Sequence, residues 1–560
     1  MNAFVRFRVP LSAAWLLVAI YFAASSRPLW AQPVALHSAL TVTSTAWPVS
    51  DGVRIAFDPI AGELIYSTLG GELRAVDPDP SIQRVTLRYG PADHGAPIPL
   101  MGMDISPDGT IYLVGNDAAS SPGSNIGVVR RGTPDGSGGH VWSTVMTTEP
   151  YPRSATPFDH NMNAIVISPD GEYLFINSGS RTDHGELQEN GGQFPGAREV
   201  PLTSAILRIP SDATDLVLPN DAAALESGGY LFADGTRNTF SMAFDKEGRL
   251  FGTENSGDRD DEEELNLLVE GGHYGFPWRM GTTDTPMQFS SYDPLADLLL
   301  NPNAYAVQNG YFYNDPAYPA PPAGLTFTDP VRNVGPDANL YRDPSSGTIL
   351  DADETGRIMG TFTSHRSPLG LVFDTASVLP APFTSNALML SWTGSESGLM
   401  GPFAGEGEDL LHLVLSEDAS GPVLTAEQIV TGFNNPIDAV LVDDALYVLD
   451  FGGNQRIWRI GFGAGTAVER DEVPTRVRVE VWPNPGEGER TAQIVASGAG
   501  RVTAELVAPD GRKVASIMDR WASSGETLET RLAVPGLAAG VYFLVVRSEG
   551  HREVVPVIFR

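Results

Sequence analysis

The sequence predicts an all-β chain: a six-bladed β-propeller followed by a small C-terminal β-sandwich. Three observations carry this. A unit of two apolar strands joined by a Pro/Asp/Gly turn recurs six times between residues 50 and 462. The charge balance changes abruptly near residue 475, although the chain as a whole carries −33. Beyond that point, short stretches alternate apolar and polar residues between turns.

The six copies are Arg54–Val76, Gly102–Asp117, Asn163–Ser180, Phe240–Gly257, Pro368–Gly394 and Pro436–Gly453. Their first strands end near D-x-x-G or P-D-G turns, whose Asp and Gly tolerate the backbone of a tight hairpin. Their second strands are rich in Leu, Ile, Tyr and Val, and third strands follow in several, as in IGVVRRG, AILRIP, LLHLVL and RIWRI. Repeats of several strands every 40 to 70 residues or so mark a propeller. Radial stacking leaves no long hydrophobic edge free. Residues 282–364, with many Pro, Asn and Asp, fit no copy. They hold either a hidden seventh blade or, the better reading, a long insertion crossing one face of the ring.

The ends differ from the middle. Arg6 and Arg8 precede a short apolar run, Leu11–Ala24, and residues 1–32 therefore read as a secretory signal with cleavage near Ala31 or Gln32. The run is too short to span a bilayer, and no later stretch is long enough, so no transmembrane segment is expected in the mature protein. Residues 33–462 form the predicted propeller, residues 463–475 a linker, and residues 476–560 the tail. From Thr475 onward there are 11 basic and 10 acidic residues, so the negative charge lies almost wholly before the tail.

Composition excludes several classes. There is no cysteine, hence no disulfide framework, thiolate metal site or cysteine nucleophile. Strong negative charge argues against nucleic acid as a partner, because the phosphate backbone attracts basic surfaces. Lys246 and Lys513 are the only lysines.

Chemistry concentrates in the third and fourth copies. Asp159-His160 stands just before the strand that opens the third, which points the histidine at the central channel. Imidazole suits a general base near neutrality, and Asp159 is the carboxylate beside it. The fourth copy is preceded by Gly235-Thr236-Arg237-Asn238 and followed by Ser256-Gly257, the acidic run Arg259 to Glu264, E-L-N-L and H-Y-G-F-P. Arginine offers a planar fork of donors for carboxylate or quinone oxygens. Turn carbonyls and carboxylates are hard donors of the kind calcium prefers. By itself the acidic run reads as a solvated loop.

Two resemblances follow. Trp482-Pro483-Asn484-Pro485, Asp510-Gly511-Arg512-Lys513-Val514 and Leu537 to Phe543 (LAAGVYF) resemble the C-terminal sorting domain of type IX secretion substrates. That implies passage to the periplasm, then transfer across the outer membrane by the type IX machinery, leaving the protein secreted or at the cell surface. FDHNMNAIVISPDGEYLFINSGS, GTRNTFSMAFDKEGRLFGTENSGDRDDEEELNLLVEGGHYGFPW, HRSPLGLVFD and NPIDAVLVDDALYVLDFGGNQRIWRI resemble the soluble glucose/sorbosone dehydrogenases that depend on pyrroloquinoline quinone (PQQ). The likeness implies an oxidoreductase for a sugar or related alcohol, with PQQ and Ca²⁺ as cofactors. It assigns His160 as the base, Arg237 and Asn238 to the quinone, and the backbone carbonyls of Ser256 and Gly257 to calcium. The sequence departs from that family where basic residues would hold the cofactor's carboxylates, since Ser391–Gly398 and Gly432–Asp438 contain none. Two other functions stay open: a non-catalytic cell-surface propeller binding glycan or protein, and a calcium-dependent lactonase-type hydrolase.

Overall fold

Six β-sheets follow one another along the chain, and the first strand of each packs against the first strand of the next. These inner strands are Gly52–Asp58, Leu100–Ile105, Met162–Ile167, Thr239–Phe244, Pro368–Phe373 and Pro436–Val442. The sixth returns to touch the first, so the ring closes as a six-bladed propeller. This computed structural model describes residues 32–463 except 47, 48, 83, 395–397, 404, 453 and 454. It also describes residues 478–559 except 483–489, 497–499, 509–511, 523–526, 533, 535, 536, 538, 539, 549 and 550. The signal before Gln32 and the linker beyond Gly463 lie outside the described residues, as do Pro483–Pro485, Asp510-Gly511 and Ala538-Ala539 of the tail landmarks.

Each expected strand pair is present, and the hairpins close as their turn chemistry demands. In the second blade, Asp108 Oδ1 accepts the Thr110 amide at 2.9 Å and Gly109 sits at φ 83°, in the left-handed region. The sixth blade is completed from the other end of the ring. Leu40–Ala46 pairs antiparallel with Ile457–Phe462 and fastens the N-terminal side of the ring to its last strands. Six hydrophobic cores fill the spaces between blades, for example Leu390, Ile429, Val448 and Trp458 between the fifth and sixth. Sheets packed on both faces bury apolar residues on both, which is why the strands read as continuous apolar runs.

The axis of the ring is plugged by Arg54, which is 5% exposed. Its Nε donates to the Met101 carbonyl at 2.9 Å, and its Nη2 to the carbonyls of Phe240 at 2.6 Å and of Asn163. The guanidinium lies 3.9 Å over the Phe240 ring and 4.0 Å from an Asp438 oxygen. One side chain of the first blade thus touches four others. Burial lowers its pKa to about 10, and Asp438 opposes that shift, so it stays charged.

Residues 282–364 are an insertion, with short hairpins and turns and no blade of their own. Arg332–Pro336 lies parallel on the outer strand of the fifth blade. The acidic run anchors the segment and is buried, which corrects the reading of a solvated loop. Asp260 binds Arg342 at 2.6 Å and His365 at 2.7 Å, Glu262 binds Arg357 and the Gly360 amide, and Glu263 pairs with Phe362.

The chain divides into compact units at Gly465/Thr466. In the second unit, one sheet holds Arg478–Trp482, Arg490–Val495 and Thr527–Leu532. The other holds Lys513–Ala522, Gly500–Val507, Gly540–Ser548 and His551–Phe559. Ile494, Val502, Ala504, Leu528 and Leu544 pack between them as the core of a β-sandwich. Among the described residues no helix is long and apolar enough to cross a membrane.

Candidate active site

A hydrogen bond repeated in every blade defines one end of the channel. The residue before, or next to, the start of each inner strand offers its carbonyl to an amide at the end of the second strand. The six pairs are Leu69 to Asp51, Asn116 to Pro99, Gly179 to Asn161, Asn255 to Asn238, Trp392 to Ser367 and Phe451 to Asn435. The residues one position earlier, including His160, Arg237 and Arg366, therefore occupy equivalent places on consecutive blades.

His160 is half-buried. Its Nδ1 lies 3.2 Å from both the carbonyl and the Oγ of Ser180, and donation to that carbonyl leaves Nε2 as the basic nitrogen. Nε2 has no partner among the described residues. The same Ser180 accepts the His160 amide at 3.0 Å and donates its own amide to the Arg237 carbonyl at 2.7 Å, tying the two blades together. Gly179 permits this approach: a Cβ there would lie 2.5 Å from the His160 Cβ. Burial and then the Arg237 charge push the imidazole pKa down to about 3, so the ring is neutral.

Asp159 does not contact His160. Its carboxylate turns away to accept the amides of Ser154 at 2.6 Å and Ala155 at 2.9 Å, beside Arg153. Its assignment as a catalytic group is corrected accordingly: it folds the loop that carries His160.

Arg237 is buried and fully directed into the protein. Its Nε donates to the Asp183 carbonyl at 2.8 Å, Nη2 to Asp183 Oδ1 at 3.0 Å, and Nη1 to the carbonyls of Ser256 at 2.7 Å and Asn255 at 3.2 Å. Asn238 is held by its backbone amide on Glu254 and by Oδ1, which accepts Asn163 Nδ2 at 2.7 Å. Its own Nδ2 has no partner among the described residues. The Ser256 carbonyl, assigned to calcium, is thus occupied by a guanidinium, while Gly257 packs on Asp183. Among the described residues no group of three or more His, Asp or Glu is arranged to hold a metal ion.

Asp183 and His184 were not singled out by sequence reasoning. Asp183 is 1% exposed and also accepts the Asp258 amide at 3.0 Å and His184 Nδ1 at 2.8 Å. His184 stacks 3.9 Å from Phe312 of the insertion, and its neighbours Asp183 and Glu186 raise its pKa. The charged stretch Arg181–Glu186, next to the third copy, was the available signal. These residues and Arg237 line a pinched cleft with about 10 Å³ of free volume, room for about one water.

The donor set suits the carbonyl edge of a quinone. The Asn238 amide is an unclaimed donor and Ser256 Oγ is buried without a hydrogen-bond partner, while His160 Nε2 is an unclaimed acceptor. Carboxylates are less well served. Arg259 is matched by Asp261 and Asp297, and Arg366 by Glu406 and Asp409. Arg237, the residue before Asn238, is likewise held, by Asp183.

Fold and site together define a propeller with a neutral imidazole and a buried, unpartnered amide donor at the starts of two adjacent inner strands. Residues 53–305, which include His160, Arg237, Asn238, Ser256 and Gly257, match the family model described as Glucose / Sorbosone dehydrogenase. Quinoprotein glucose dehydrogenase B of Acinetobacter calcoaceticus is 24% identical over 204 residues, 28% of this chain and 41% of that protein. The match thus spans less than half the length of that relative. Among solved structures, the PQQ-bound aldose sugar dehydrogenase of Streptomyces coelicolor is 18% identical, with a TM-score of 0.43 over 77% of this chain and 99% of that one. The apo soluble aldose sugar dehydrogenase of Escherichia coli is 16% identical, with a TM-score of 0.47 over 76% and 99%.

Proposed function

We propose that the protein is an exported oxidoreductase that oxidises the CH–OH group of a sugar or related alcohol, with PQQ as cofactor and His160 as general base. The observation that carries this reading is the unpartnered Nε2 of His160 and the unpartnered amide of Asn238, at the starts of the inner strands of adjacent blades. PQQ held there supplies a two-electron acceptor. The chain does the rest. Ser180 fixes the imidazole through Nδ1, and the low pKa keeps Nε2 free to take the hydroxyl proton while the C–H electron pair leaves and the carbonyl forms. Asn238, and Arg237 once released from Asp183, would hold the cofactor. Of the two carbonyls assigned to calcium, that of Ser256 already accepts from Arg237. The signal and the sorting tail support export by the type IX route to the cell surface or medium.

The assay is reduction of an artificial electron acceptor by aldoses after addition of PQQ, with and without Ca²⁺. Turnover should fall at least about 100-fold in His160→Ala. No dye reduction in the parent removes the oxidoreductase. A second reading, a non-catalytic propeller binding uncharged glycan, is favoured by the neutralisation of Arg237 by Asp183. Equal glycan binding by the parent and His160→Ala, with turnover in neither, would select it.

A further inference from the structure

We infer that Asp183 is an internal competitor for Arg237 and sets how tightly the site takes an anionic cofactor. This rests on the PQQ reading above. A guanidinium at the end of the channel should be the anchor for a carboxylate-bearing quinone, since a planar fork binds carboxylate through paired hydrogen bonds. Here the fork is already engaged by a carboxylate from the protein itself. Asp183 holds Arg237 through both its carbonyl, at 2.8 Å, and its Oδ1, at 3.0 Å. The carboxylate is itself buried and kept ionised by His184 and Arg237. It satisfies the cation as a bound anion would, so an anion arriving from solvent must displace it or share it. Surrounding cations offer no substitute, because Arg259 and Arg366 have their own carboxylates.

Replacing Asp183 by Asn removes the charge and keeps the size. Arg237 and His184 then lose their shared buried counter-charge; Glu186 remains 3.6 Å from His184, and Glu254 and Asp258 remain near Arg237 with their pKa values raised by burial, which weakens them as counter-charges. Such a pocket recruits an anion. The effect should be specific to charge: PQQ gains, whereas a neutral sugar such as glucose does not.

The test is equilibrium dialysis of PQQ, read by its own absorbance, against the full chain and three variants, Asp183→Asn, Asp183→Ser and Asp183→Asn/Arg237→Gln, with and without Ca²⁺. Both single variants should bind PQQ at least tenfold more tightly than the parent, and the double variant should lose the gain. PQQ should also raise the melting temperature of Asp183→Asn more than that of the parent. A parent that binds PQQ as tightly as a folded Asp183→Asn or Asp183→Ser overturns the inference, as does an equal gain in the double variant. If Asp183→Asn does not fold, Asp183→Ser decides by the same comparison. The two failures are separable: tighter PQQ binding without dye reduction in any variant removes the dehydrogenase and keeps the competitor, and dye reduction by the parent without tighter binding does the reverse.

Discussion

Arg54→Met tests whether the ring depends on the single side chain at its axis. The change keeps much of the volume and removes the charge. Three carbonyls on three other blades, those of Met101, Asn163 and Phe240, lose their donor, and Asp438 loses the cation 4.0 Å away. Removing one partner of a buried charge pair typically costs about 3–5 kcal/mol. With about 2.1 cal/mol/K of unfolding entropy per residue, a ring of roughly 430 residues has ΔS near 0.9 kcal/mol/K, so about 4 kcal/mol lowers Tm by about 4 °C. The loss should be pH-dependent. Burial already raises the Asp438 pKa to about 6, and without Arg54 it rises further, so at pH 5 the carboxyl is neutral and the penalty shrinks. The assay is thermal unfolding of the parent and Arg54→Met at pH 5 and pH 7.5. A shift below about 1 °C at pH 7.5, or an equal shift at both values, refutes the argument. The axis would then be held by the blade interfaces alone.

Two further perturbations probe the site and its support. Gly179→Ala places a Cβ 2.5 Å from that of His160 and 3.2 Å from the Arg237 carbonyl, so the histidine must move. Dye reduction should fall about tenfold or more, with about 1–3 kcal/mol lost in urea unfolding from the overpacking. Unchanged turnover would mean that the position of His160 does not matter. Glu264 is raised to about 8 by burial and by Glu254 directly across the strand pair. A raised carboxyl is protonated in the folded chain at neutral pH. The stability it contributes is whole below about pH 4.5 and is lost as pH climbs towards 8, at about 1.4 kcal/mol per unit. Glu264→Gln keeps an acceptor for the Gly281 amide, and a flipped Asn266 can offer its unpartnered Oδ1 to the new amide. Its urea midpoint should exceed that of the parent at pH 9 and match it near pH 5; a deficit at pH 9 contradicts the assignment.

Much of the architecture was legible because propeller blades are local. Each quoted copy, such as Gly102–Asp117, joins strands only a few residues apart, and its turn is specified by residues inside it, Ser106, Asp108 and Gly109. The insertion was legible as a break in the repeat. Pairing across long distances was not. The acidic run looks solvated in sequence because the groups that neutralise it, Arg342, Arg357 and His365, lie 82 to 105 residues further on. Asp159 adjoins His160 along the chain, yet its lone pairs are drawn to two backbone amides of its own loop, which are closer and fixed. Adjacency in sequence did not give a hydrogen bond; for Asp183 and Arg237, 54 residues of separation did not prevent one.

The repeated carbonyl–amide bond gives the ring six equivalent places, of which the third, fourth and fifth blades carry His160, Arg237 and Arg366. Every blade presents one residue at that level, so the fold supplies position and the neighbours decide what the side chain can do. Arg366 and Arg237 share the place and the charge, but Arg366 is drawn outward into its own blade by Asp409 at 2.6 Å and is 1% exposed. Arg237 is drawn sideways, to a carboxylate from the loop between the second and third strands of the third blade. Of the three, His160 alone keeps a side-chain nitrogen without a partner among the described residues, because Ser180 takes Nδ1 and no carboxylate bonds Nε2. What this end of the ring can bind therefore depends on which of three side chains the surrounding carboxylates leave free. For that reason the charge on Asp183, more than any feature of the sheets, governs what the site can hold.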